Sequence, residues 1–473
     1  MLFNSIEFLI FIIIFFVIYW FIIPKSKFHQ NISLLIGSYI FYGWWDIRFL
    51  TLIIASTVLD YFVAKFIYAS KRDKNKNYGL FLSVFFNLSL LFIFKYFNFF
   101  LDSFYQLFGQ NNDASKFLVI DIVLPVGISF YTFQTLSYTI DVYNKKIKPS
   151  NSILDLAVYV SFFPQLVAGP IERAVNFLPQ VQKVKVFNYK NATNGLKLIL
   201  IGFFKKLIIA DSFAGSVDVV FSNVDNFSYL SLLIGAVLFS FQIYCDFSGY
   251  TDIARGLAKL LGFDLMLNFN FPYFSKTISE FWKRWHISLS TWFRDYLYIP
   301  LGGSRVSFFL TLRNIFIIFL VSGLWHGANW TFVVWGAIHA FLYLPSYISK
   351  KINFSIEFPR SLSPIKTLFI FSTVTLAWIF FRSENLKIAI EYCYKIFTLA
   401  DGRNYFLVKN MGLSLATNLL FSILCLIILL IFEYIEFKGR KIKFTPILSS
   451  FVIIFIILFG QFIDDNMFIY FQF

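Results

Sequence analysis

The fold is decided by residues 239–340, and above all by the stretch Ser322-Gly-Leu-Trp-His-Gly-Ala-Asn-Trp330. Two more polar stretches precede it: Phe241-Gln-Ile-Tyr-Cys-Asp-Phe-Ser-Gly-Tyr-Thr-Asp252 and Glu280-Phe-Trp-Lys-Arg-Trp-His-Ile-Ser-Leu-Ser-Thr-Trp-Phe-Arg-Asp-Tyr-Leu-Tyr-Ile-Pro-Leu-Gly-Gly303. Three of the chain's four histidines lie between residues 280 and 340. Because the rest of the chain is mostly apolar, we look for function in this core region.

The composition is that of a membrane protein. Hydrophobic residues make up 58% of the chain, charged residues only 14%, and the mean hydropathy is +0.70. A soluble protein carries about a quarter charged residues, so we expect a polytopic membrane protein. The net charge of +15 comes from basic residues in short loops between apolar runs, which is the positive-inside pattern and excludes a nucleic-acid-binding domain. The three cysteines, Cys245, Cys393 and Cys425, lack metal-site spacing and are interpreted as buried apolar thiols.

The apolar runs have the lengths of membrane helices, which need about 20 residues. They cover residues 6–23, 49–69, 78–101, 117–143, 230–244, 308–321, 330–344, 366–381, 415–432 and 447–463, of which 117–143 is broken by Pro125-Val-Gly127. The run 32–45 is short and is interpreted either as a half-span or as a segment packed inside the bundle. Residues 153–169 overlap Phe163-Pro-Gln-Leu-Val-Ala-Gly-Pro170, which predicts a broken or re-entrant helix. Lys205-Lys206 in the run 196–213 predict a segment that tilts, snorkels or lies at the interface.

These runs predict an all-α polytopic membrane protein of about ten to twelve transmembrane, re-entrant and interfacial helices. No internal repeat is visible and no loop is long enough for a soluble catalytic domain, so we expect a single domain over residues 1–473. If the basic loops 71–76 and 438–443 are cytoplasmic, both the N-terminus and the last residues lie outside. Residues 6–23 are interpreted as a retained span because they lack the flanks of a signal peptide.

Residues 278–296 have the pattern of an amphipathic helix. Residues 277–280 have capping-box spacing, and aromatic and charged residues fall mostly on opposite arcs at about 100° per residue. His286 lies on the border between these two arcs. Two interpretations stay open: a helix on the membrane surface with a polar edge histidine, or a helix that turns His286, Arg294 and Asp295 inward to line a polar channel.

His326 is the leading candidate for chemistry. It follows an apolar run, and an ionisable side chain at that depth is costly and by default indicates a functional site. A neutral imidazole can take a proton from a hydroxyl nucleophile near neutral pH, and Asn329, on the same face if the segment is helical, would orient the ring or the substrate. The alternative is a satisfied core histidine. His339, about 220° further round a helix, is interpreted as structural.

Asp246 and Asp252 lie at the end of an apolar run. Two carboxylates suggest a metal site or a proton relay, but no histidine or third carboxylate is near in sequence, so we predict no metal. Helix capping by Ser248, Thr251 or Asp252 is the favoured interpretation. The chain contains no Walker loop, zinc-protease motif, nucleophile elbow or dinucleotide fingerprint.

Several longer motifs follow one another along the chain. They are Asp246-Phe-Ser-Gly-Tyr-Thr-Asp252, Phe281-Trp-Lys-Arg-Trp-His-Ile-Ser-Leu-Ser-Thr-Trp292, Arg294-Asp-Tyr-Leu-Tyr-Ile-Pro-Leu-Gly-Gly303 and Gly323-Leu-Trp-His-Gly-Ala-Asn-Trp-Thr331, preceded by Tyr42-Gly-Trp-Trp45 and Pro125-Val-Gly-Ile-Ser-Phe-Tyr131. Together they closely resemble the membrane-bound O-acyltransferase family, in its alginate O-acetyltransferase branch. The resemblance covers nearly the whole chain.

The resemblance implies a helix bundle around a funnel across the membrane, no bound cofactor, and acetyl-coenzyme A as the acyl donor on the cytoplasmic side. His326 matches the family's catalytic histidine, and His286 matches a second, supporting histidine. The substrate channel is expected to contain Asn329, Trp325, Trp282, Arg294, Asp295 and Asp246. The terminal Phe468-Ile-Tyr-Phe-Gln-Phe473 is similar to an aromatic motif of the branch, so Tyr470 either carries the acyl group briefly, shapes its exit, or belongs to an aromatic belt.

The function expected from the resemblance is O-acetylation of a cell-envelope polysaccharide, whether alginate-like, another exopolysaccharide or peptidoglycan, from the bacterial cytoplasmic (inner) membrane. The expected partners are membrane lipids, acetyl-coenzyme A, the polysaccharide, and a secreted or membrane-tethered esterase-like (SGNH) protein with a serine nucleophile. Nucleic acid is not among them. The alternatives are D-alanyl or other acyl transfer to teichoic acid, a transporter or flippase of acyl or glycan intermediates, and a scaffold of an export machine.

Overall fold

The computed structural model describes residues 1–108, 123–167, 169–352, 359, 362–402, 413–440, 442–462 and 469, without the side chains of residues 413–416. Every regular element within these ranges is helical. In chain order the α-helices are α1 (Ile6–Val17), α2 (Lys27–Gly43), α3 (Leu50–Ala69), α4 (Asp73–Leu91), α5 (Phe97–Phe108), α6 (Ile128–Tyr143), α7 (Ile153–Ser161), α8 (Phe163–Leu166), α9 (Ala174–Val181), α10 (Tyr189–Phe203), α11 (Asp211–Ser222), α12 (Tyr229–Leu260), α13 (Ile278–Arg284), α14 (Ile287–Phe293), α15 (Phe308–His326), α16 (Trp330–Lys351), α17 (Ser363–Arg382), α18 (Leu386–Phe397), α19 (Leu413–Phe437) and α20 (Pro446–Phe459).

Seven helical stretches of the described chain are long and apolar enough to cross a membrane. They are Ile47–Ala69, Asp73–Phe108, Tyr229–Leu260, Phe308–His326, Trp330–Lys351, Ser363–Arg382 and Thr417–Phe437. Two shorter apolar helices, Ile6–Ile22 and Pro446–Phe459, complete the set found there. The prediction of an all-α, multi-pass membrane protein is therefore confirmed, whereas the funnel and the sides of the termini stay predictions.

Wider helical turns interrupt several helices. Such π-helical segments continue α1 at Ile18–Ile22 and α4 at Phe92–Tyr96, join α10 to α11 at Phe204–Ala210, and follow α14 at Arg294–Tyr298. A π-helical turn shifts the register of the side chains and is frequent at functional sites. The segment Phe204–Ala210 carries both buried lysines discussed below.

The chain divides into two compact units, and its organisation as a single domain stays a prediction. The first unit comprises Met1–Leu196 and Ala254–Met266. Its helices α3, α4 and α6 meet at the buried carboxylate of Asp60, which accepts hydrogen bonds from Asn87 Nδ2 (2.9 Å), Thr139 Oγ1 (3.0 Å) and the hydroxyl of Ser83. Because a carboxylate among apolar helices needs partners, this polar cluster fixes how the three helices pack.

The predicted break in residues 153–169 is present. Helix α7 ends at Ser161, Phe162 leaves the helical conformation with ψ 107°, and the one-turn helix α8 follows. The neighbouring run 117–143 is only partly described, since residues 117–122 lie outside the described ranges. Its described part begins helix α6 after Gly127, whose φ of 77° lies in the left-handed region that glycine adopts readily.

The second unit comprises Lys197–Ile253 and Leu267–Phe473. Its helices α15 and α16 approach at their backbones, because a Cβ at Gly323 would collide with the Phe332 carbonyl oxygen and one at Gly336 with that of Phe319. Small residues allow such close contact between membrane helices. This contact places the end of α15, at His326, beside the second turn of α16, at Trp335.

Helix α12 corrects one expectation. It runs for 32 residues, Tyr229–Leu260, so Asp246 and Asp252 lie inside the helix and the interpretation of this stretch as a helix cap was wrong. The sequence suggested an end because polar residues follow the apolar run. The helix continues because these carboxylates find cationic partners on a neighbouring segment, as described next.

Candidate functional site

His326 is the last residue of α15, and the chain turns extended at Gly327. Its side chain is buried among aromatic rings. The ring centroid lies 5.2 Å from that of Trp335 on α16 and 5.3 Å from that of Phe381 on α17, both edge-on. The carboxyl end of α15 carries partial negative charge, which stabilises a positive charge that forms on the imidazole.

His286 lies at a break, not on a continuous helix. Helix α13 ends at Arg284, Trp285 is extended, and His286 has a φ of 42°, in the left-handed region. The amphipathic helix predicted over residues 278–296 was therefore wrong at its centre. A non-glycine residue in this conformation is strained by about 1–3 kcal/mol and is held there by its surroundings, often at a functional site.

Asn268 holds this break in place. Its backbone oxygen accepts the N–H of Ile287 (2.9 Å), and its Oδ1 accepts both the N–H (3.2 Å) and the hydroxyl (2.9 Å) of Ser288. Oδ1 also lies 3.2 Å from Nδ1 of His286. Since a backbone N–H only donates, the bonded side-chain atom of Asn268 is the oxygen. Nδ1 of a neutral His286 must therefore carry the proton, which leaves Nε2 as an acceptor.

His286 and His326 are neighbours. Their ring centroids are 6.4 Å apart, and Trp325 contacts both, at 5.9 Å from His286 and 5.0 Å from His326. His286 lies outside the candidate spans and is fully buried. Burial lowers its pKa to about 3, because desolvation disfavours the imidazolium. The site thus pairs a neutral, oriented imidazole with the histidine at the end of α15.

Trp282 belongs to the same aromatic cluster, since its ring lies 5.8 Å from Trp335 and 4.9 Å from His339. Trp335 is fully buried and contacts His326 on one side and His339 on the other. Neither ring nitrogen of His339 has a hydrogen-bond partner among the described residues. The interpretation of His339 as structural stays a prediction.

Three other residues predicted for the channel, Asn329, Arg294 and Asp295, have the following contacts, none of which is with His286 or His326. Asn329 is the N-cap of α16: it accepts the N–H of Thr331 (3.0 Å) and donates to the carbonyl of Glu384 (2.8 Å). Asn329 and His326 therefore do not share a helix. Arg294 and Asp295 pair with each other at 2.6 Å, and the arginine side chain is 57% exposed.

Asp246 is buried and paired with a lysine. Its Oδ1 lies 2.9 Å from Nζ of Lys206, which also donates to Asp211 at 2.7 Å. The adjacent Lys205 lies 3.1 Å from Asp252. Both lysines are at least nine-tenths buried, so the expectation that they snorkel was wrong, because tertiary carboxylates compensate their charge. A tilted or interfacial placement of this segment stays a prediction.

Sequence reasoning missed two groups, Asn268 and the lysine–carboxylate pairs. The signal for Asn268 was a polar residue alternating with aromatic ones in Asn268-Phe-Asn-Phe271. The signal for the pairs was two adjacent lysines in an apolar run. Tyr470 and the terminal motif lie outside the described residues, apart from Ile469. Within the described ranges, no group of three or more His, Cys, Asp and Glu side chains has a geometry that could hold a metal ion.

Comparison with known proteins gives a consistent set of relatives. The family model of the membrane-bound O-acyltransferases matches residues 39–381. A probable alginate O-acetylase of Pseudomonas aeruginosa is 42% identical over 370 residues, which cover 76% of this chain and 68% of that protein. A second, of Azotobacter vinelandii, is 39% identical over 426 residues (88% and 82%). A peptidoglycan O-acetyltransferase of Helicobacter pylori is 36% identical over 397 residues (78% and 73%).

Proposed function

The chain belongs to the membrane-bound O-acyltransferase family, and we propose that it transfers acetyl groups from cytoplasmic acetyl-coenzyme A towards the hydroxyls of a cell-envelope polysaccharide. The observation that carries the proposal is the buried pair of His326 and His286, 6.4 Å apart between ring centroids. The names of the relatives above, alginate O-acetylase and peptidoglycan O-acetyltransferase, support acetyl as the transferred group. Alginate and peptidoglycan both carry sugar hydroxyls, so we propose a polysaccharide as the acceptor class and do not choose one polymer.

In the proposed reaction His326 is the general base. One ring nitrogen takes the proton of the hydroxyl that receives the acetyl group, and the oxygen attacks the thioester carbonyl carbon. The new C–O bond forms and the C–S bond breaks. The imidazolium then returns its proton to the departing thiolate, so the enzyme ends unchanged. Burial of His326 keeps bulk water from competing with the acceptor hydroxyl.

His286 has a supporting role in this proposal. It stays neutral because of its burial, and its Nε2 can accept a hydrogen bond from a substrate hydroxyl. Asn268 acts through His286 as a positioning residue, since it fixes both the ring tautomer and the strained backbone. Trp325 and Trp282 are proposed to shape the apolar wall of the channel. Asn329, Arg294 and Asp295 are proposed to lie along the substrates' path.

The acceptor polymer is expected on the outer face of a bacterial cytoplasmic membrane, opposite the donor. With only 14% charged residues, the chain offers little water-facing surface on which to hold a polymer. We therefore propose a secreted or membrane-tethered esterase-like partner, whose serine receives the acetyl group and passes it to the polymer. Tyr470 is proposed as an intermediate carrier or as part of the exit.

The test is the O-acetyl content of every envelope polysaccharide in cells that carry wild-type protein or His326→Ala at equal membrane levels. We expect one polymer to lose its acetyl groups, and that polymer identifies the acceptor. His29→Ala is the matched control, because His29 is exposed and outside the site. Unchanged acetylation with His326→Ala would contradict the proposal. Loss of ester-linked D-alanine in place of acetate would favour the teichoic acid alternative.

A further inference from the structure

The end of the described chain contacts the buried lysine–carboxylate cluster. The backbone N–H of Ile469 donates to Oδ2 of Asp246 at 2.7 Å, across 223 positions of sequence. Both residues are only 3% exposed. Eight residues earlier, the N–H of Gln461 donates to the carbonyl of Leu207 at 3.0 Å. Two points near the end of the chain therefore bind to α12 and to the π-helical segment Phe204–Ala210.

The carboxylate of Asp246 is oriented to receive this bond. Lys206 lies against its other oxygen at 2.9 Å and is itself held by Asp211 at 2.7 Å. A buried ion pair is tolerated when further hydrogen bonds satisfy its remaining lone pairs, and Ile469 supplies one of them. A hydrogen bond to an ionised carboxylate is about twice as strong as one between neutral groups.

The backbone packing makes this arrangement possible. A Cβ at Gly202 would lie 2.5 Å from the Gly249 carbonyl oxygen, and one at Gly249 would lie 2.8 Å from that of Gly202. The two helices therefore touch at their backbones. Gly249 is one turn beyond Asp246 and Gly202 is one turn before Lys206, so this close approach brings the lysine to the aspartate.

The neighbouring pair shows what is particular to Asp246. Lys205 lies 3.1 Å from Asp252 and 3.5 Å from Glu433 on α19. Those ion pairs join helices through side chains. In the Asp246 cluster, in contrast, the carboxylate also accepts a hydrogen bond from the backbone N–H of Ile469. Two similar charge clusters on one stretch of chain thus make different connections.

We propose that Asp246, held by Lys206, is a clasp for the backbone of Ile469 and that acyl transfer depends on this clasp. Asp246 is then a positioning residue that acts through Ile469, not a lining residue of the channel. Ile469 directly precedes Tyr470 in the sequence, and Tyr470 is the residue proposed above to carry the acyl group or to form part of its exit. The link to transfer rests on the proposed function, whereas the clasp itself does not.

The first test is amide hydrogen exchange of the full chain in lipid nanodiscs, resolved to the Ile469 amide by mass spectrometry. We expect slow exchange in the wild type and at least tenfold faster exchange in Asp246→Ala. Asp252→Asn, which alters the neighbouring pair on the same helix, should leave the Ile469 amide protected. Equal protection in Asp246→Ala and wild type would overturn the clasp.

Two further variants keep the test decisive if Asp246→Ala does not fold. Asp246→Asn keeps an acceptor oxygen but loses the attraction to Lys206, so protection of the Ile469 amide should fall between the other two proteins. Ile469→Pro removes the donor from the opposite side and leaves the carboxylate with its lysine. With Ile469→Ala as its control, it should reduce acetyl transfer at least tenfold. Full transfer in Ile469→Pro would contradict a dependence of transfer on the clasp.

The second test is a double-mutant cycle on acetyl transfer, with Asp246→Ala, Ile469→Pro, and both changes together. If Asp246 acts through Ile469, the combined variant loses no more activity than the more impaired of the two single variants. Independent, multiplying losses would show that Asp246 acts elsewhere. If even the wild type transfers no acetyl group, the proposed function fails, and the exchange experiment still decides the clasp.

Discussion

Replacement of Asn268 by alanine tests the proposed site in most detail. The change removes the oxygen that accepts from the N–H and hydroxyl of Ser288 and lies against Nδ1 of His286. The serine hydroxyl can rotate, but the backbone N–H and the imidazole N–H stay buried without this acceptor. At about 1–3 kcal/mol for each unsatisfied donor, the cost is about 2–6 kcal/mol.

Asn268 holds the strained backbone of His286, whose φ is 42°. Without Asn268 this backbone relaxes, which recovers part of that cost. The ring then moves relative to His326. Since a displacement of about 1 Å in a catalytic constellation lowers the rate about 100-fold, we expect kcat for acetyl transfer to fall by about that factor. The KM for acetyl-coenzyme A should change little, because Asn268 is not proposed to touch the donor.

The assay is transfer of radiolabelled acetate from acetyl-coenzyme A by protein in nanodiscs, with the melting temperature measured on the same samples. Ser288→Ala is the graded control, because it removes only the hydroxyl bond and should lose much less. In a His286→Ala background, Asn268→Ala should lower kcat no further. A single Asn268→Ala variant with at least half of wild-type kcat would refute the positioning role, as would a full additional loss in the double variant.

Three further predictions concern stability and pH. Gly323→Ala should lower the free energy of unfolding by about 1–3 kcal/mol, and with it the melting temperature, because the new methyl meets the Phe332 carbonyl. Gly215→Ala should leave the melting temperature unchanged, because the space around Gly215 is open. Equal melting temperatures of the two variants would contradict the close packing at Gly323. His286, with its pKa near 3, binds no proton in the folded state where the unfolded chain does, so stability should fall below pH 6.5, by about 2 kcal/mol at pH 5. His286→Gln should lack that part of the loss, and identical pH dependence of unfolding would contradict the burial argument. His339→Phe should keep acetyl transfer within about twofold and melt at or above the wild-type temperature, since it removes a buried N–H that has no partner among the described residues; a large loss of kcat would show that His339 takes part in the reaction.

The sequence alone was sufficient to predict the features that depend on neighbouring residues in the chain. Apolar runs of membrane length predicted the spans, because a chain in lipid must satisfy its backbone within each helix. Proline and glycine predicted the break after Ser161. His326 was found because an ionisable residue next to an apolar run is unusual, and the structure places it in the cluster where His286 also lies.

The sequence alone did not predict the features that depend on contacts between residues far apart in the chain. Residues 278–296 have helical periodicity, but hydrogen bonds from the Asn268 segment open the chain at His286. Polar residues after Tyr244 suggested a helix end, but the lysines of Phe204–Ala210 compensate the carboxylates inside α12. Neither partner is recognisable from one sequence, because pairing of buried charges depends on which helices approach.

The central claim is that His326 is the base that activates the acceptor hydroxyl. The most direct measurement is the rate of acetyl transfer from radiolabelled acetyl-coenzyme A in membrane vesicles that contain the acceptor polymer and the partner protein, for wild type and His326→Ala at equal folded amounts. We predict a loss of about 100-fold or more in the variant, the usual contribution of a general base, with the fold intact. A His326→Ala protein that transfers acetate within a few-fold of the wild-type rate would contradict the account.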